Sequence, residues 1–159
     1  MKNGISSEVF IYILGMIVIG IIVIFGYQKI ASLAQAEQKV EIPRFQKQLE
    51  SLVKSAMGSG NLIKEDVVLP RGFGEICVVD LDKSASSSLQ TTKPIIHDSW
   101  SDKVQKNVFL VGKTTESFFI DKIKPLDATN NFVCIPLTDG KAKLKFEGKG
   151  GYTLVEENT

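Results

Sequence analysis

Hydrophobic and polar positions divide the chain into three parts, of which the first is a long apolar run. Residues 9–27 contain no charged residue, and apolar side chains would occupy every face of a helix formed by them. Such a helix rises by roughly 28 Å, close to the hydrocarbon thickness of a bilayer. A buried core helix would be shorter or amphipathic, and a cleaved secretory signal would have a shorter apolar region that ends in small residues. The sequence therefore predicts a transmembrane helix over residues 9–27 and a single-pass membrane location.

Helical periodicity continues over residues 28–57. Apolar positions such as Phe45 and Leu49 recur at helical spacing, with charged and amide side chains between them. Pro43 lacks a backbone donor and fits either a kink or the first turn of a second helix. Gly58 is a candidate for the left-handed residue that ends a helix. We expect an amphipathic helical extension over residues 28–57, kinked near Pro43.

Beyond Asn61, short apolar runs typical of β-strands replace the helical pattern. The candidate strands are residues 66–69, 75–80, 107–111, 117–123, 132–137, 141–147 and 152–156. Asp139 and Gly140 favour a two-residue hairpin turn, and residues 83–93, rich in Ser and Thr, are expected to form a polar surface loop. Residues 61–159 should therefore form a β-rich globular head. The predicted fold class is α+β, with a long N-terminal membrane-embedded, kinked helix followed by a mostly antiparallel β head domain.

Composition and charge exclude several classes of function. A formal net charge of +1 argues against nucleic-acid binding, which normally requires a basic excess. One histidine and two cysteines provide too few ligands for a structural zinc site. His97 is followed by Asp98, but adjacent residues cannot adopt the geometry of a catalytic triad. Asp80 and Asp82 lack the remaining positions of a calcium-binding loop. We expect no enzyme activity, no cofactor and no metal.

The two cysteines lie in the middle of predicted strands. Cys77 occurs in EICVVD and Cys134 in FVCIPL. In an exported domain they could form a disulfide between neighbouring strands or between two layers. The alternative is a pair of buried, reduced thiols, which are common in protein cores. The sequence favours a disulfide if the domain is exported.

A short polar leader over residues 1–8 precedes the apolar run. Glu8 is the last charged residue before it, and Ser6 lies two residues earlier. Glu8 could be an interfacial residue, or it could complement the positive end of the helix N-terminus. The leader, the Ser-x-Glu motif, the apolar helix and the β head together resemble type IV pilin-like proteins. The archaeal form is the most similar, because its mature chain begins with Q-x-S-x-E, although Gly4 stands here where Gln is usual.

The resemblance implies processing and assembly at the N-terminus. In that family a membrane peptidase removes the leader. Cleavage after Asn3 would leave Glu8 as the fifth residue, whereas cleavage after Gly4 would leave it fourth. The family's glutamate is thought to pair with the N-terminal amine of a neighbouring copy. The resemblance therefore assigns Asn3, Gly4, Ser6 and Glu8 to processing or assembly, and it implies a homo-oligomeric filament packed through the N-terminal helix.

Two functions follow as hypotheses. One is a structural subunit of a pilus-like surface filament, with the β head outside the cell. The other is a single-pass membrane-anchored β domain that acts as a binding module or as an accessory subunit of a membrane complex. Both hypotheses make membrane lipid a partner, and the first adds a leader peptidase. The charges that flank residues 9–27 do not decide the orientation.

Overall fold

The computed structural model describes residues 5–127 and 129–158, with side chains described for residues 10–26, 40–127 and 129–158. These residues form three helices: α1 (Ile5–Ala56), α2 (Ser87–Thr92) and α3 (Pro94–Ser101). They also form eight strands: β1 (Leu62–Val67), β2 (Phe73–Val79), β3 (Val108–Gly112), β4 (Thr115–Phe118), β5 (Ile123–Pro125), β6 (Phe132–Pro136), β7 (Ala142–Gly148) and β8 (Thr153–Glu157). The chain divides into two compact units, Met1–Val40 and Glu41–Thr159. We call the second one the β unit.

The first unit contains the N-terminal part of α1 and the residues predicted to cross a membrane. A membrane-spanning helix requires about 20 consecutive, predominantly apolar residues. Throughout the part of the chain that the structure describes, no helix meets the requirements of length and apolar character for crossing a bilayer. This finding overturns the predicted membrane-embedded helix over residues 9–27, the membrane element of the predicted fold class and the single-pass location. It also conflicts with the part of the pilin resemblance that requires such a helix.

Helix α1 runs through Pro43 as a single element. The alternative in which Pro43 begins a second helix is therefore wrong, and the kink stays a prediction. The helix ends at Ala56, close to the predicted end. Gly58 does not take a left-handed conformation; Gly60 does, with φ 79°. The left-handed glycine after the helix is thus Gly60, two residues later than predicted.

The β unit contains two four-stranded sheets. Sheet A has the order β1-β7-β8-β5, and sheet B has the order β4-β3-β2-β6. The pairs are antiparallel with one exception, the parallel pair of β5 and β8. In β7, Leu144 and Phe146 are buried whereas Lys143 is exposed, because alternate side chains point to opposite faces of a sheet.

The main core joins α1 to both sheets. Phe45, Leu49, Val53 and Ala56 follow one face of the helix, and none is more than 3% exposed. They belong to one cluster with the inner side chains of the sheets, among them Ile76, Val78, Val108, Leu110, Ile135, Leu144, Phe146 and Val155. Burying such a side chain contributes about 1.5–3 kcal/mol. The predicted apolar stripe is therefore the face through which α1 completes the core.

Sheet A and the end of α1 approach each other very closely. A Cβ atom at Gly148 would lie 1.9 Å from the carbonyl oxygen of Ala56 and 2.1 Å from that of Gly58, so only glycine fits there. The buried Thr153 hydroxyl donates a hydrogen bond to the Val53 carbonyl oxygen at 3.0 Å. These two contacts fix the height of the helix above the sheet.

Sheet B has a second buried face, which packs against α2 and α3. Cys77, Val79 and Phe109 form a separate cluster there with Leu89, Ile96 and Trp100. The Trp100 indole N–H donates to the carbonyl oxygens of Asp80 and Lys83, both at 3.1 Å. The prediction of a loop over residues 83–93 is therefore wrong at α2, and α3 was not predicted. Neither helix is longer than eight residues, so their local patterns are weak and burial on sheet B stabilises them.

The strand predictions differ from the structure in two informative places. Residues 117–123, predicted as one strand, supply the end of β4 and the start of β5, which belong to different sheets. Asp139 and Gly140 do form a turn, with φ 54° and 78°, as expected for a primed turn. The strands on either side of it, β6 and β7, also belong to different sheets. Thr138 and Lys141 pair antiparallel across the turn, so the predicted two-residue hairpin turn is present, although β6 and β7 do not continue the pairing.

A disulfide joins Cys77 and Cys134. The two residues lie directly opposite each other in the antiparallel pair of β2 and β6, with their Cα atoms 4.0 Å apart. The predicted disulfide is confirmed, and of the two placements left open it joins neighbouring strands rather than two layers. The alternative of two reduced thiols is wrong. The bridge lies in the layer that packs against Trp100.

Reducing this disulfide should lower the free energy of unfolding of the β unit by about 4 kcal/mol, because it releases a closed loop in the unfolded chain. The loop spans a sequence separation of 57 residues. Denaturant unfolding followed by the fluorescence of Trp100, the single tryptophan, measures the change with and without reductant. The Cys77→Ser/Cys134→Ser variant is the control and should not respond to reductant. Equal unfolding midpoints of the oxidised and reduced wild type would contradict the expectation.

Candidate functional site

The most unusual surface among the described residues is the part of α1 from residue 10 to residue 26, which we call the apolar segment. Every large apolar side chain in it is at least 47% exposed. The exposed side chains point in all directions around the helix, because consecutive residues such as Ile21, Ile22, Val23 and Ile24 are each 49–64% exposed. Gly15 and Gly20 have open space where a side chain would begin. The surface is therefore apolar on every side.

The apolar segment can pack against other apolar surfaces, but it offers almost no polar groups for binding or catalysis. Its only polar side-chain group is the hydroxyl of Tyr12. Monomeric proteins rarely expose contiguous apolar patches larger than a few hundred Å², and larger patches usually mark interaction sites. Because apolar surface in water costs about 25 cal/mol per Å², covering the segment is strongly favourable.

The residues that the sequence assigned to processing and assembly lie at the edge of the described chain. Asn3 and Gly4 are outside the described residues. Ser6 and Glu8 lie in α1, and their side chains are outside the part that the structure describes. Their roles therefore stay predictions.

A groove of about 310 Å³ lies on the β unit, where the segment after β2 meets β5 and the turn before β8. The Lys124 Nζ atom lies 2.5 Å from Asp82 Oδ2 and 3.6 Å from Asp80 Oδ1. It also lies over the Tyr152 ring, 5.5 Å from the ring centre. Phe119, 43% exposed, lines the groove as well.

Electrostatics in this groove centre on Lys124. Its hydrogen bond to Asp82, reinforced by charge attraction, holds the pKa of that carboxyl below its usual value. The same hydrogen bond, together with the charge of Asp80, raises the pKa of Lys124. The lysine ammonium thus occupies the position that a cation would take between the two carboxylates. Lys124 is 42 residues from Asp82 in the chain, so no local sequence signal could have revealed the pair.

Two other groups of side chains resemble a metal site and a catalytic triad in composition, but their contacts do not provide that chemistry. Glu75, Cys77 and Cys134 lie close enough to hold a metal ion, but both sulfurs belong to the disulfide, and thiolates are what zinc binds. Glu75 forms an ion pair with Lys93. His97 Nδ1 contacts Asp98 Oδ1 at 3.2 Å, so these adjacent side chains do meet, contrary to the expectation from sequence. Within the described ranges, however, no serine hydroxyl is bonded to this histidine. The expectation that the protein is not an enzyme stays a prediction.

The Lys124→Met variant should raise the pKa of Asp82 towards the ordinary aspartate value of about 3.9, because it removes both the hydrogen bond and the charge. NMR titration of the side-chain carboxyl carbons measures this change. Glu147, whose pKa is lowered by its hydrogen bond to Lys149, is the internal control and should not respond. The Lys149→Met variant should give the reverse pattern.

The ion pair of Asp82 and Lys124 contributes to stability only within a limited pH range. The folded pKa of Asp82 is lowered, so its contribution to stability is present above the unfolded value and is lost as the pH falls through the folded pKa. The folded pKa of Lys124 is raised, so its contribution is lost as the pH rises through that value. An Asp82 pKa that is the same in wild type and Lys124→Met would show that the contact is absent in solution.

Comparison with known proteins adds no relative. No family model matches the chain, and neither the curated proteins nor the solved structures provide a significant match.

Proposed function

We propose that this protein is a structural subunit of a homo-oligomeric, pilus-like filament that assembles through the apolar segment, residues 10–26. The observation that carries the proposal is the exposure of large apolar side chains on every face of this helix. Each copy contributes one β unit to the assembly.

The all-round exposure favours many copies over a dimer. A helix that packs against a single partner needs an apolar stripe about 100° wide, with polar residues elsewhere. The apolar segment has no polar face, so one partner helix would leave most of it in water. Several neighbouring helices are needed to cover it. Contacts that are not closed by symmetry generate open, helical assemblies, which is the geometry of a filament.

The charged surface of the β unit supports an assembly that uses only the apolar segment. The outer face of sheet A carries charged side chains, including Lys64, Asp66 and Lys143. Lys145 forms an ion pair with Glu156 on the same face. Exposed lysines on strands oppose edge-to-edge association. A second copy is also the simplest partner, because it provides an equally apolar helix at the same concentration.

The second hypothesis keeps the β unit as the functional part. In that case the chain is a binding module or an accessory subunit, and the apolar segment docks with a different protein. The groove around Lys124 favours this reading, since a concave site with two exposed aromatic residues is a common binding surface. The two hypotheses differ in whether the purified chain assembles by itself.

Replacing Ile19 with Arg should prevent assembly, because an unpaired charge buried among packed apolar helices costs several kcal/mol. Ile95 in α3 provides a matched control, since Ile19 and Ile95 are both 63% exposed. In sedimentation velocity and electron microscopy, wild type and Ile95→Arg should form fibres, whereas Ile19→Arg should sediment as a single copy. The fluorescence of Trp100 should be the same in all three proteins.

A wild type that sediments as a single copy at every concentration would contradict the proposal. So would an Ile19→Arg variant that forms fibres as wild type does.

Glu8→Ala tests the assembly role that the resemblance assigns to this residue. If Glu8 pairs with the N-terminal amine of a neighbouring copy, removing it leaves an uncompensated charge, which typically costs 3–5 kcal/mol. Fibre formation should then be abolished or slowed. Glu65→Ala, at an exposed position of β1, is the control and should assemble normally. If Glu8 instead complements the helix N-terminus, its loss costs about 1 kcal/mol or less, and the yield of fibres should not change.

A further inference from the structure

A carboxylate lies beside the disulfide of sheet B. Glu75 and Cys77 are two positions apart in β2, so their side chains share one face of the sheet. Cys134 lies opposite Cys77 in β6. One carboxylate oxygen of Glu75 and the two sulfur atoms all lie within 4.8 Å of one another. The register of two strands thus gathers two sulfurs and a carboxylate at one point.

The spacing of these three atoms is close to what a zinc ion requires. Zinc lies about 2.3 Å from a cysteine sulfur and about 2.0–2.2 Å from a carboxylate oxygen, usually in tetrahedral geometry. Its ligand atoms are therefore roughly 3.3–3.8 Å apart. In the oxidised chain the two sulfurs are bonded to each other. Once that bond is broken, rotation about the Cα–Cβ bonds is enough to bring all three atoms to the required separation.

Glu75 has an oxygen available for such an ion. Its Oε2 atom forms an ion pair with Lys93, and among the described residues no hydrogen bond or ion pair involves Oε1. A carboxylate that binds a metal usually has a second hydrogen-bond partner of this kind, which orients it. Pro136 lies opposite Glu75 in β6 and has no polar side-chain group that could compete.

The charges of these side chains also suit a divalent cation. Two thiolates and one carboxylate carry three negative charges, of which Zn²⁺ neutralises two. The ammonium group of Lys93, paired with Glu75, balances the remaining one. A zinc ion at this place would therefore leave no uncompensated charge, which is the arrangement that is costly inside a protein.

The group has one buried side and one side that solvent reaches. Cys77 is fully buried and packs with Phe109 and Trp100. Cys134 is only partly buried, and the side chain of Glu75 is 23% exposed. Strand β2 is paired with both β3 and β6, so these strands are held together by more than the disulfide. A reductant and a metal ion can approach from the Cys134 side without unfolding the sheet.

We propose that Cys77, Cys134 and Glu75 bind one zinc ion when a thiol reductant opens the disulfide. Two reductant thiols pass two electrons and two protons to the S–S bond, which gives two cysteine thiols and a disulfide of the reductant. Zinc then replaces both thiol protons, which pass to solvent, and a water molecule takes the fourth position. The disulfide and the zinc ion are thus alternative cross-links between β2 and β6.

Zinc binding by the full-length chain tests the proposal. The chain is reduced with a water-soluble phosphine, which is oxidised to its oxide with oxygen from water, and bound zinc is measured by equilibrium dialysis. The reduced chain should bind one zinc ion saturably. The oxidised chain should bind at least about tenfold more weakly, because thiolates are the metal ligands and a disulfide has none. Equal binding by the two forms, or no saturable binding by the reduced form, would overturn the proposal.

Variants of single glutamates locate the site. Reduced Glu75→Gln should bind zinc about tenfold or more weakly than reduced wild type, because it loses a charged ligand. Glu116→Gln removes a carboxylate from an exposed position of β4 in the same sheet, and it should bind zinc as wild type does. Wild-type affinity in Glu75→Gln would overturn the three-ligand site. Equal weakening by both variants would show a general charge effect and overturn it as well.

Unfolding provides a readout that does not depend on counting bound metal. An ion that binds the folded chain stabilises it, so the denaturant midpoint of the reduced wild type, followed by the fluorescence of Trp100, should rise with zinc concentration. The midpoint of Cys77→Ser/Cys134→Ser should not change. An unchanged midpoint of the reduced wild type would contradict the proposal.

The inference is independent of filament assembly. All three ligand residues belong to the β unit, so reduced Ile19→Arg should bind zinc with the affinity of wild type even though it should not assemble. Zinc binding that disappears in Ile19→Arg would place the ion elsewhere and overturn the inference. A wild type that forms no fibres but binds zinc in its reduced form would contradict the filament and support the zinc site.

Discussion

The burial of one face of α1 in the core of the β unit is the interaction on which the rest of the structure depends. Leu49 and Val53 are at most 2% exposed, and they join sheet A and sheet B into one apolar cluster. Sheet A permits this approach only because Gly148 has no side chain and because the Thr153 hydroxyl satisfies a helix carbonyl. The same face contributes Phe45 to a pocket that Arg44 and Arg71 also line. The core and the pocket are therefore positioned by a single helix face.

The proposed assembly and the observed core would use different residues of the same helix. The apolar segment is exposed on every side, whereas the face that includes Phe45 and Val53 is buried. A substitution in the apolar segment should change association without changing the core around Trp100. The outer face of sheet A carries charged side chains, and these discourage contacts between the β units of neighbouring copies. This separation is what makes an assembly function compatible with a stable β unit.

Sheet B is the most constrained layer of the β unit. One of its faces contributes Ile76 and Leu110 to the main core, and the other packs Phe109 against α2 and α3. The disulfide lies in this second face, so it links two strands that packing already holds together. Trp100 joins the helical layer to the segment after β2 through two hydrogen bonds. The short helices are stable because they are held to a sheet that is itself cross-linked.

Local sequence patterns were enough to predict three features: the apolar stripe of α1, the alternation in β7 and the turn at Asp139 and Gly140. These features depend on residues close together in sequence, whose spacing determines which side chains share a face. The sequence pattern also placed both cysteines in strands, but only the register of β2 and β6 brings them together as a pair. The unbroken apolar run over residues 9–27 was interpreted as a membrane span, and no helix of the described residues meets the requirements for one. The tertiary structure alone decided that β6 and β7 enter different sheets, that α2 and α3 form on sheet B, and that Arg44 and Arg71 share a pocket. These outcomes depend on contacts between distant residues, and the pattern within a segment determines its buried face but not the partner that covers it.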